Sequence, residues 1–76
     1  MKVNKTQAIL FMYQKFVEDG FLKKADYCNT TNITSLTFAR YLSELKCFFS
    51  NFDVPKDIIY SRKNNEYYIV SGAHKY

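Results

Sequence analysis

Seventy-six residues make one domain, spanning 1–76, and are too few for two. Of these, 47% are hydrophobic and 18% aromatic, with seven Phe and seven Tyr, an apolar density that excludes a disordered chain. Lys and Arg number 11 against 7 Asp and Glu, and the resulting charge of +4 is spread along the chain, which suits a polyanionic partner but excludes a basic tail as the means of holding it.

A first helix is predicted over 5–19. Asn4 followed by Gln7 resembles a capping box, with Asn in place of Ser or Thr. Ile9, Met12, Tyr13, Phe16 and Val17 then recur at i, i+3, i+4, i+7 and i+8, which is one helical stripe. Gly20 supplies the left-handed residue that closes a helix C-terminus, and Phe21 is expected to fold back on the last turn. A shorter second helix is expected over 23–30, with Tyr27 and Cys28 inward and Lys23, Lys24 and Asp26 in water. Asn29-Thr30-Thr31-Asn32 ends it, because these side chains compete for backbone hydrogen bonds. Asn32 tolerates the αL conformation of a sharp turn, and Thr34 offers a hydroxyl as N-cap to the next helix.

The third helix is predicted over 35–52. Phe38, Leu42, Leu45, Phe49 and Phe52 form its apolar stripe, widened by Tyr41 and Phe48, while Leu36, Ala39, Arg40, Ser43, Lys46 and Ser50 lie on the opposite side. Pro55 stops it by disfavouring αR at Val54. The period then changes. Ile58 to Ser61 and Glu66 to Val70 are β-rich runs, and Asn64-Asn65 suits a tight turn with positive φ, so a hairpin is expected over 58–70 before a polar tail at 71–76.

The expected fold class is therefore mainly α with a small β-hairpin (α+β). A two-stranded hairpin is marginal alone and must pack on the helices, which is the layout of a three-helix winged helix-turn-helix. In that layout the second helix braces the third, whose outer face enters a major groove, and the hairpin stands beside it as the wing.

Residues capable of other chemistry are sparse. Cys28 and Cys47 are the only cysteines and His74 the sole histidine, so no zinc site can be assembled and no metal or cofactor is expected. Cys28 reads as a small packing residue, and Cys47 as partly exposed. There is no nucleophile–base pair, no paired carboxylates and no Gly-rich phosphate loop, so an enzyme is not expected. A polar, cationic start and the lack of an 18-residue apolar run argue against a signal peptide and a membrane span. Cytoplasm is the expected compartment; on that reading Asn29-Thr30-Thr31 and Asn32-Ile33-Thr34 match the glycosylation sequon by chance.

The segment Ile33-Thr34-Ser35-Leu36-Thr37-Phe38-Ala39-Arg40-Tyr41-Leu42 resembles the helix-turn-helix motif of DeoR-like and WYL-domain bacterial transcriptional regulators. The hairpin from Ile59-Tyr60 to Tyr67-Tyr68-Ile69 is similar to their wing, and the likeness covers roughly Gln7 to Val70. Tyr41 stands where those families carry an acidic residue, and Leu36 where they carry a polar or basic one. The resemblance implies transcription regulation through DNA binding by the third helix, with Thr37 and Arg40 touching backbone or bases. Thr34, Ser35, Leu36, Ala39 and Ser43 complete the expected reading surface, with Lys23, Lys24, Arg62 and Lys63 beside phosphates. The expected partner is double-stranded DNA. A homodimer and a protein partner stay open, and the alternative is a winged helix that binds protein without DNA, favoured by apolar Leu36 and Ala39 on the reading face.

Overall fold

Asn4 opens the first helix: its side-chain oxygen accepts a hydrogen bond from the Gln7 amide at 2.8 Å in the computed structural model, which describes residues 3–71. Helix α1 runs over Lys5–Asp19 and closes on Gly20, whose φ of 82° is left-handed and whose N–H reaches the Phe16 carbonyl at 2.8 Å. The chain continues through β1 (Phe21–Leu22), α2 (Lys24–Thr31), α3 (Ser35–Asn51), β2 (Lys56–Ser61) and β3 (Glu66–Ser71). These form an α+β fold of three helices on an antiparallel sheet in the order β1-β3-β2. The tail from 72, with His74, lies outside the described residues.

Strand β1 is an addition to the expected pair. Phe21 pairs with Tyr68 and Leu22 with Tyr67, which gives the hairpin a third strand. The physical gain is that β3 becomes a central strand with both edges paired, anchored to the end of α1. Strands β2 and β3 pair from Lys56↔Ser71 to Ser61↔Glu66, somewhat longer than the apolar runs alone. Their connection is the four residues 62–65 that separate the two runs; Asn65 is left-handed (φ 56°), as its turn chemistry suggests, and Asn64 is not.

Helix α3 ends on a Schellman-type arrangement. Asp53 takes a left-handed conformation (φ 53°), and the Val54 N–H reaches back to the Phe49 carbonyl at 2.8 Å. The helix therefore stops before Pro55 acts, and Phe52 is left outside it.

One cluster forms the core: Met12 and Phe16 of α1, Leu22, Tyr27, then Phe38, Leu45 and Phe49 of α3, and Ile58 of β2. Each large apolar side chain fully buried in this way contributes about 1.5–3 kcal/mol. Ala8 is buried too, a position too small to register in an apolar stripe. Of the expected stripe residues, Val17, Phe48 and Phe52 are exposed, all towards the C-terminal ends of their helices where the stripe overruns the body, and Ile9, Tyr13, Tyr41 and Leu42 are half-buried at the edge of the cluster. A run of rings ties the layers together: Phe11 to Tyr27 at 5.9 Å, Tyr27 to Phe38 at 5.6 Å, Phe38 to Tyr67 at 5.4 Å and Tyr67 to Tyr60 at 4.8 Å. The Tyr27 hydroxyl also donates to the Ala8 carbonyl, fixing α2 to α1.

Candidate nucleic-acid interface

The interface begins at the three-residue turn Asn32-Ile33-Thr34 between α2 and α3. Asn32 is left-handed (φ 58°), and both its N–H and that of Ile33 meet the Cys28 carbonyl, the latter at 3.2 Å. Thr34 Oγ1 accepts from the Thr37 N–H at 3.1 Å, and its hydroxyl donates to Thr37 Oγ1, also at 3.1 Å. Two of the expected contact residues are thus engaged in starting α3, and Thr37 is half-buried. Their part is to fix where the helix begins.

Beyond them Ser35, Leu36, Ala39, Arg40 and Ser43 are all exposed, as the periodicity requires. At 3.6 residues per turn they occupy an arc of about 140° on the outer side of α3. Leu36 is 66% exposed, one of several large apolar side chains left open to water. Arg40 lies in a shallow depression with Lys5, Thr37, Tyr41, Ser43 and Glu44. The carboxylate there is already engaged, since Lys5 Nζ stands 3.4 Å from Glu44 Oε2. Among the described residues no carboxylate lies within ion-pair distance of Arg40.

Arg62 and Lys63 are exposed in the loop of the hairpin. Hydrogen bonds within the hairpin hold that loop: the Tyr60 hydroxyl donates to Asn65 Oδ1, and Asn64 Nδ2 donates to the Tyr68 hydroxyl oxygen at 2.8 Å. Asn65 is expected as a turn residue and Tyr60 as part of the hairpin, but neither as a wall of the site; the structure brings them there, with Tyr60 paired across the strands with Tyr67. Tyr60 and Asn65 line a cleft of about 270 Å³ that joins the hairpin to the helices. Its other walls are Lys23, Lys24, Ala25 and Cys28 around the start of α2, Ser35 at the start of α3, and Tyr67. Lys23 Nζ lies 3.9 Å from Glu66 Oε2, a long pairing between an exposed lysine and a half-buried carboxylate. Lys24 has no such partner among the described residues.

Burial pushes the Cys28 thiol up from its ordinary range, against a smaller opposing pull from the Lys24 charge. It stays a protonated packing group, with its sulfur 3.9 Å from the Thr34 carbonyl, while Cys47 is exposed. Among the described residues no three His, Cys, Asp or Glu side chains gather as metal ligands, and no helix is long and apolar enough to cross a membrane. No protein-family model, no curated protein and no solved structure matches the chain.

Proposed function

We propose that the chain is a winged helix-turn-helix domain that binds double-stranded DNA in the cytoplasm as a transcriptional regulator, without catalysis. One observation carries this reading: a three-residue turn delivers α3 with an exposed outer face, whose arginine has no ion-pair partner among the described residues, beside a lysine-lined cleft closed by the hairpin. In this reading α3 lies in the major groove. Arg40 offers the planar fork that pairs with guanine O6 and N7, and Leu36 and Ala39 offer apolar surface to thymine methyl groups, which accounts for an apolar residue in the open. Lys23, Lys24, Arg62 and Lys63 set register on phosphates without reading sequence.

The test is fluorescence anisotropy with random-sequence duplex DNA over a salt series. Binding is expected to weaken steeply with salt, as condensed counterions are released. The Arg62→Ala, Lys63→Ala double variant should lower the slope of log affinity against log salt by about 1.8, twice the roughly 0.9 due to each phosphate contact. No binding at low salt would turn the reading to the alternative, a protein partner on the same face, for which the 66% exposure of Leu36 is the supporting observation.

A further inference from the structure

A second surface lies away from the hairpin, where α1 and α3 run side by side. Leu10 and Val17, two turns apart on one stripe of α1, are 62% and 58% exposed, and Phe48 and Phe52 of α3 and its cap are 44% and 70% exposed. The two rings touch at 5.2 Å between centroids. Between the helices runs a groove walled by Ile9, Leu10 and Tyr13 on one side and Leu45 and Phe48 on the other, with Glu44 at its edge.

We infer that this α1–α3 face is where two copies of the chain pair about a two-fold axis. Area is the first argument. With ordinary side-chain areas the four residues expose roughly 500 Å², near the upper end of what a monomer leaves bare in one patch. Two copies closing on it bury about 1,000 Å² before the half-buried groove walls are counted, which reaches the size of a specific interface. Shape is the second. A two-fold interface must be complementary to itself, and here projecting rings and a receiving groove lie on one patch, so Phe52 of each copy can meet the groove of the other. Charge is the third. A surface of one sign repels its own copy, whereas α1 carries two lysines and two carboxylates, with Lys15 bonded to Asp19 at 3.1 Å and Lys5 to Glu44 at 3.4 Å. Among the described residues, Arg40 on the outer face of α3 and Arg62 and Lys63 in the hairpin loop are cations without an ion-pair partner that lie outside the groove. The sheet offers a second apolar row, Phe21 and Ile59 exposed on either side of half-buried Tyr68, but it leaves less apolar surface open.

The pairing stands whether or not the outer face of α3 binds DNA, and its test is DNA-free. Sedimentation equilibrium of the 76-residue chain should show a reversible monomer–dimer equilibrium in the micromolar range. Leu10→Glu and Phe52→Glu each place like charges across the axis and should weaken the dimer at least about tenfold, with circular dichroism and thermal unfolding of the monomer unchanged. Val17→Glu serves the same purpose should either variant fail to fold. Ile59→Glu, on the sheet, should leave the dimer intact. A chain that stays monomeric to about 1 mM overturns the proposal. So does a dimer that survives all three α1–α3 variants, or one lost only in Ile59→Glu.

Discussion

The outer face of α3 and the flank it shares with α1 are built from neighbouring residues of the same helix, yet they suit opposite partners. The outer face carries Ser35, Leu36, Ala39, Arg40 and Ser43, mostly short side chains around one unpaired guanidinium. The flank carries Phe48 and Phe52 beside Leu10 and Val17, with Lys15 paired to Asp19 and Lys5 to Glu44 nearby. Short side chains let a helix backbone approach a groove, and an unpaired cation gains by meeting phosphate or guanine. Exposed rings gain only by leaving water. One helix can thus serve two surfaces because a 3.6-residue period separates them around its circumference.

The severest way to break this arrangement is to remove what both surfaces stand on. Phe38 is buried on the inner stripe between Tyr27 and Tyr67, so Phe38→Ala should cost about 3–5 kcal/mol in chemical denaturation and abolish both interactions. The next variant separates them. Arg40→Ala should weaken duplex DNA binding by about 1–3 kcal/mol and relax preference at one base position, while sedimentation and stability stay as in the wild type. If binding is unchanged in the folded variant, α3 does not read DNA.

Smaller effects sharpen the contrast. Thr34→Ala removes the cap of α3 and should cost about 1 kcal/mol of stability, with DNA binding affected and dimerisation spared, since only the first turn frays. Tyr27→Phe removes the hydroxyl that holds α2 against α1 and should cost about 0.5–1 kcal/mol at neutral pH. Its pH signature is more specific. Burial, then the neighbouring Tyr41 and Cys28, raise the Tyr27 phenol above its ordinary value of 10.0. The folded state therefore keeps a proton that the unfolded state releases, and stability falls as pH rises past 10.0 towards the folded value. Alkaline unfolding should be shallower in Tyr27→Phe; an unchanged curve would mean this phenol is not what limits the fold at high pH.

Much of the helical body was legible in the residues. Asn4, Gly20, Asn32 and Thr34 act at helix ends as their chemistry dictates, and the α3 stripe separates inside from outside at Phe38, Leu45 and Phe49. What escaped was local structure without a period. Phe21 and Leu22 form a strand only because β3 offers them a partner more than forty residues away, and two residues carry no alternation to detect. Asp53, rather than Pro55, ends α3, because a left-handed aspartate leaves no distinctive pattern in sequence. Of the interface, the outer face of α3 and the cationic loop were readable from spacing. The cleft that joins them was not, since Lys24, Ser35 and Tyr60 meet only through tertiary packing.

Four of the connections in this fold turn on a single left-handed residue: Gly20, Asn32, Asp53 and Asn65. That economy restricts how the sequence can drift. At each of these sites a β-branched or bulky replacement forces the backbone into a region that L side chains avoid, so the substitutions tolerated there should be nearly confined to glycine, asparagine and aspartate. At Gly20 an added Cβ would meet no atom within 4 Å, so the restriction is one of backbone angle and not of space. A relative too distant to share the apolar stripe should still show small or amide residues at these four places, spaced by 12, 21 and 12 positions. Such a spacing gives a thread for tracing kinship in a chain this short.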